Sequence, residues 1–171
     1  VKHGKGAYVS DSISLPALDN VLIPMFPMKN FDRMNDLVES RNMIESEIAA
    51  KVAENRTTEN IQQLEKLLIF DASEITSAEK FAARDYAFHL ALSEMAGNNF
   101  LHSMYQALNS HIHFFLVQYA DSVMDWEKAL KRHVPILEAI IDQNIENARF
   151  VAREHARICA SYIKRPNENT Y

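Results

Sequence analysis

The sequence predicts an all-α protein, an antiparallel bundle of about six to seven helices. Three observations predict it. From Phe31 onward, apolar residues recur at spacings of three and four. Glycine and proline number only three and five in 171 residues, too few for a loop-rich or all-β chain. No series of alternating strands, no internal repeat and no low-complexity tract interrupts the pattern.

Residues 1–12, VKHGKGAYVSDS, stand apart. They hold two of the three glycines, a small basic cluster of Lys2, His3 and Lys5, and a β-like Ala7-Tyr8-Val9. Gly4 and Gly6 permit a tight turn, so the stretch reads either as the tail of a β-hairpin whose partner strand lies upstream, or as a disordered end. The first residue is Val1, which suggests a piece of a longer chain. Residues 13–30 contain Pro16, Pro24 and Pro27 and read as a linker unable to sustain a long helix, with a short helical piece around 17–23.

Helices are expected at 31–55, 58–71, 77–96, 99–120, 126–143 and 145–164. Thr57 or Thr58 can cap the second and Ser77 the third. Gly97 suits the position just past the third helix. Asn98 or Asn99 can cap the fourth and Asp125 the fifth. Short connections imply antiparallel neighbours.

The totals bound the function. A 47% hydrophobic chain of this length can bury the core of one domain. A net charge of −5 argues against gripping nucleic-acid phosphates unaided. The single Cys159 cannot form an internal disulfide, which suits a reducing cytoplasm. No apolar run of about 18 residues and no signal-peptide pattern is present, so a cytoplasmic protein without a membrane span is expected.

The apolar stripes carry polar interruptions. The first helix runs Met34, Leu37, Val38, Arg41, Ile44, Ile48, Val52. The third runs Ala78, Phe81, Ala82, Asp85, Phe88, His89, Leu92, Met95. The fifth runs Trp126, Leu130, His133, Leu137, Ile140, Ile141, and the sixth Ala148, Val151, Ala152, His155, Ile158, Cys159, Tyr162. Burying an unpaired polar group costs several kcal/mol, so these groups should face one another or a ligand. Asp85 and His89, spaced i and i+4, can reach one point beside their helix. With His133 and His155 they make three imidazoles and a carboxylate, a complete donor set for a divalent transition metal. Taken singly, each histidine is as well read as a satisfied core residue, and Asp85 with His89 as a surface pair; four on three helices point to a site together.

Arg41 is either a snorkelling arginine at the stripe edge or a guanidinium aimed into the same cavity to receive a carboxylate. His111 lies beside the stripe Leu101, Met104, Leu108, Ile112, Phe115, Tyr119 and is placed to line a pocket. His102 is expected to face solvent. Cys159 fits a buried structural thiol better than a fifth ligand.

The stretch Arg84-Asp85-Tyr86-Ala87-Phe88-His89, followed by Gly97-Asn98, resembles the FCD effector-binding domain of GntR-type bacterial transcription regulators of the FadR-like branch. The resemblance continues in His133 of HVPILEAI and His155 of AREHARI. Arg41 and Glu45 stand at the marked positions of a first-helix motif in RNMIESEIAAKVAENRT. VKHGKGAYVSDS resembles the end of a winged-helix wing, and the linker with PMF resembles lactate and pyruvate regulators. The resemblance implies a β-wing remnant at 1–12, a linker at 13–30, an effector-binding and dimerisation domain at 31–164, and a tail at 165–171. It implies a metal on Asp85, His89, His133 and His155, with zinc the first choice and nickel, manganese or iron as alternatives. It implies a small carboxylate effector near Arg41, Glu45, Asn98 and His111. It also implies a homodimer that binds operator DNA through an N-terminal winged helix-turn-helix missing here, so this stretch alone should not bind DNA specifically. The expected role is a sensor, not an enzyme. The rival readings are a metal-dependent enzyme acting on a small carboxylate, with Glu45 or Glu138 as its acid or base, and a helical interaction domain without a ligand.

Overall fold

The structure, a computed structural model, describes Pro24 and residues 31–162. The expected wing remnant, the helical piece around 17–23, the rest of the linker and the tail at 165–171 lie outside the described residues. Among the described residues from 31 onward, eight α-helices follow one another: α1 (Phe31–Asn55), α2 (Thr58–Leu68), α3 (Ala78–Met95), α4 (Asn99–Ala107), α5 (Asn109–Ser122), α6 (Trp126–Leu130), α7 (Val134–Ile141) and α8 (Ile145–Ser161). Short 3-10 turns occupy Ala72–Glu74 and Lys131–His133. No strand occurs among the described residues. The fold class is all-α.

The caps act as expected. Thr57 accepts from the Asn60 N–H while the Asn60 side chain accepts from the Thr57 N–H, a reciprocal box at the start of α2. Ser77 caps α3 through the Lys80 N–H. Past the end of α3, Gly97 takes φ +67°, a left-handed conformation that costs a residue without Cβ little. Asn98 and Asp125 cap α4 and α6.

Three helices depart from their expected spans. The helix expected at 58–71 stops at Leu68, because Ile69 is extended and its N–H turns back to Glu65. The helix expected at 99–120 is two, divided at Leu108, whose N–H bonds to the Tyr105 carbonyl three residues back. The helix expected at 126–143 is broken by the 3-10 turn at Lys131–His133. Pro135 has no N–H to bond the Lys131 carbonyl, and that carbonyl accepts instead from Val134, which tightens the turn. His133 therefore leaves from a tight turn, not from mid-helix.

The long α1 and α8 lie along each other, with α7 against both. On the other side α3 packs on α1, α2 and α5. The core fills the space between them with Ile48, Val52, Leu64, Phe81, Phe88, Ile112, Phe115, Leu116, Ile136 and Ile140, all at most 1% exposed. Ile141 and Ile158, expected on buried stripes, are exposed at the stripe edges.

Candidate metal centre

Four donors from three separate elements meet inside this core. Asp85 and His89 project one turn apart from α3, His133 from the 3-10 turn, and His155 from α8. Each is buried, none more than 4% exposed. Their ligand atoms all lie within 4.8 Å of one another.

The individual separations specify what the cluster can do. The Nε2 atoms of His89 and His133 are 3.1 Å apart, and those of His89 and His155 are 3.3 Å apart. Asp85 Oδ1 is 3.3 Å from His133 Nε2. Donors bound at about 2.1 Å to one cation stand roughly 3.0–3.4 Å apart at right-angled or tetrahedral angles, so the observed spacings fit a shared ion. An imidazole nitrogen pair can share only one proton, whereas three Nε2 lone pairs turned on one point suit a cation. The donor set of three imidazoles and one carboxylate is a borderline set suited to zinc, nickel, iron or manganese.

The surroundings set the tautomers. His133 Nδ1 is 2.7 Å from the Leu130 carbonyl oxygen, so that nitrogen carries the proton and Nε2 keeps its lone pair. His89 Nδ1 faces Glu45 Oε1 at 3.6 Å, too long for a hydrogen bond but with the same sense. Glu45 Oε1 accepts from Arg41 Nε at 2.6 Å and from the Tyr105 hydroxyl at 2.8 Å. Arg41 Nη2 donates to Asp85 Oδ2 at 3.3 Å. Arg41 Nη1 and Glu45 Oε2 are buried with no hydrogen-bond partner, as is His155 Nδ1.

Electrostatics favour the deprotonated forms of Asp85, His89 and His155. Burial would raise the Asp85 carboxyl, yet His133, Arg41 and His89 overcome it and hold it well below the usual carboxylate range. Burial, with Arg41 and His133 adding to it, pushes His89 well below the ordinary histidine value. Burial, with His133 and His89, does the same to His155. An ionised Asp85 beside neutral His89 and His155 is the form in which those groups bind metal.

The other expected residues divide. Arg41, 1% exposed, is no snorkelling arginine; it bridges Asp85 and Glu45 within the cage. Glu45 is likewise buried beside His89, while Glu138 is exposed. Asn98 is half-buried and its side-chain oxygen is committed to the N–H groups of Phe100 and Leu101. His111 is buried on α5, the helix that packs against α3. Cys159 is buried with Sγ 3.8 Å from His155 Nε2. Burial, with Asp85 adding to it, pushes its thiol up to about 12, which suits an inert structural thiol. His102, expected in solvent, is half-buried with Nδ1 2.8 Å from Ser93 Oγ.

Sequence reasoning missed Tyr105. The stripe drawn through Met104 placed the wrong neighbour inside: Met104 is 41% exposed and Tyr105 fully buried. Leu101, Tyr105, Leu108 and Ile112 keep the same three-and-four spacing, and that signal could have found it.

The FCD domain family model matches residues 36–157. The chain is 25% identical over 162 residues to the Uxu operon transcriptional regulator of Escherichia coli (strain K12), covering 91% of this chain and 62% of the relative. It is 28% identical over 110 residues to the HTH-type transcriptional regulator LutR of Bacillus subtilis (strain 168), covering 64% of this chain and 49% of the relative. The chain thus spans about half to three-fifths of the length of these relatives. The solved structure of Streptococcus agalactiae GntR matches with a TM-score of 0.68 at 28% identity, over 94% of this chain and 73% of that one.

Proposed function

This chain belongs to the FCD domain family, and from that membership we propose that it is the ligand-sensing half of a GntR-type transcription regulator. The observation that carries the reading is the convergence of Asp85, His89, His133 and His155 within 4.8 Å inside the matched domain. These four residues would hold a divalent transition metal, zinc in the first place. Bound there, the cation supplies positive charge and open positions for an anionic ligand.

The effector is a small organic acid. Arg41, whose Nη1 is buried without a partner, offers its carboxylate a donor. Glu45, Asn98 and His111 complete the effector group, Glu45 from beside the metal and His111 from α5. Phe115 beside the Arg41 guanidinium and Phe88 beside His133 lower the local dielectric and strengthen these charge interactions.

The regulator acts as a homodimer in the cytoplasm, with operator DNA bound by winged helices N-terminal to this domain. Effector shifts DNA affinity only as far as it binds one packing of the bundle more tightly than the other. The domain performs no turnover.

Thermal denaturation with a panel of small carboxylates, run on metal-loaded and chelator-treated protein, tests this. At least one acid should raise Tm in the loaded form and fail to do so in the stripped form. No stabilisation by any acid, or consumption of the stabilising acid on prolonged incubation, would overturn the sensor reading.

A further inference from the structure

We propose that Tyr105 is a positioning residue that couples the metal centre to α4. The inference rests on the metal reading above and adds to it a residue and a helix that supply no ligand. Of the residues of α4, Tyr105 alone is fully buried. Phe100 and Met104 on the same helix are 73% and 41% exposed, and its other polar tie to α3 is the half-buried His102–Ser93 contact. The Tyr105 ring stacks on Tyr86 of α3, with centroids 5.6 Å apart and planes at 11°.

Its hydroxyl donates to Glu45 Oε1 at 2.8 Å. That oxygen also accepts from Arg41 Nε, which places Arg41 against Asp85, and it faces His89 Nδ1 at 3.6 Å. One carboxylate oxygen thus ties α4 to the two α3 donors. Burial, together with Glu45, pushes the phenol well above its ordinary value, so the hydroxyl keeps the proton it donates. When His89 is drawn onto a cation, its Nδ1–H acidifies and the pull on Glu45 grows. The Tyr105 bond passes that pull to α4 through the one Glu45 oxygen that His89 faces and Tyr105 donates to.

The test uses the purified chain, stripped of metal and titrated with Co²⁺, whose visible spectrum reports coordination. Tyr105→Phe keeps the stacked ring and loses only the hydroxyl. It should bind Co²⁺ about tenfold more weakly, with altered bands, as loss of an outer partner does. Tyr86→Phe removes a neighbouring hydroxyl outside the relay and should match the unaltered chain. Tyr105→Phe binding within about twofold, with unchanged bands, overturns the proposal. Should Tyr105→Phe not fold, hydrogen exchange on the unaltered chain decides. Adding metal should slow amide exchange in Asn99–Ala107 more than in Thr58–Leu68, and equal slowing overturns the coupling. Failure of the unaltered chain to bind Co²⁺ at all sinks the metal reading itself, a separate result.

Discussion

His89 and His133 come from different elements, 44 residues apart in sequence, yet their Nε2 atoms stand 3.1 Å apart in the core. Neither nitrogen is spent on the backbone, since His133 uses Nδ1 for the Leu130 carbonyl. With Nδ1 of His133 protonated, at most one proton, from His89, can lie between these two Nε2 atoms. The arrangement suits a shared metal ion, and the first predictions follow from it.

His133→Ala should abolish stoichiometric metal in protein purified from a zinc-supplemented culture, as read by elemental analysis. The substitution removes one donor and the turn contact together. Full metal content in this variant would contradict the assignment of His133.

Chelation should lower Tm substantially. At free metal a thousandfold above Kd, binding stabilises the folded state by about 4 kcal/mol. For a domain of this size that is roughly 8–16 °C. Calorimetry with and without chelator measures it.

Metal-stripped protein should lose stability as pH falls below about 6.5, the ordinary histidine value. His89 and His155 resist protonation in the fold, so the unfolded chain takes up protons first, and stability drops by up to about 1.4 kcal/mol per pH unit for each. Asp85, held low, extends the loss below its ordinary value of 3.8. Urea titrations at pH 7.5 and 5.5 check the sign; greater stability at the lower pH would contradict it.

Arg41→Ala should cost about 3–5 kcal/mol, because it leaves Asp85 and Glu45 buried with less compensating charge. It should also remove the stabilisation by carboxylates even when metal is bound. Urea denaturation gives the first effect and thermal shift the second.

Gly97→Ala should cost about 1–2 kcal/mol. An added Cβ would meet nothing within 4 Å, so the cost is that of the +67° φ alone. A loss well above this in urea denaturation would mean that Gly97 carries a role beyond its backbone conformation.

The sequence by itself determined the helical class, narrowed the caps to Thr57 or Thr58, Ser77, Asn98 or Asn99, and Asp125, and singled out Asp85, His89, His133 and His155 as polar residues on apolar stripes; the structure chose Thr57 and Asn98. Each of these is written locally: a cap is one side chain beside a free N–H, and a polar residue on an apolar stripe announces itself by spacing alone. Pro135 was equally legible, yet its consequence, the 3-10 turn that aims His133, required following one missing N–H back to the Lys131 carbonyl. What only the tertiary structure decided is who stands behind the donors. Arg41 and Glu45 on α1 meet Asp85 and His89 on α3, and Tyr105 on α4 meets Glu45, because three helices cross there. Helical spacing fixes which way a side chain leaves its own helix. Which partner it meets depends on the rotation and crossing of the other helices, and those are set by packing the whole core at once.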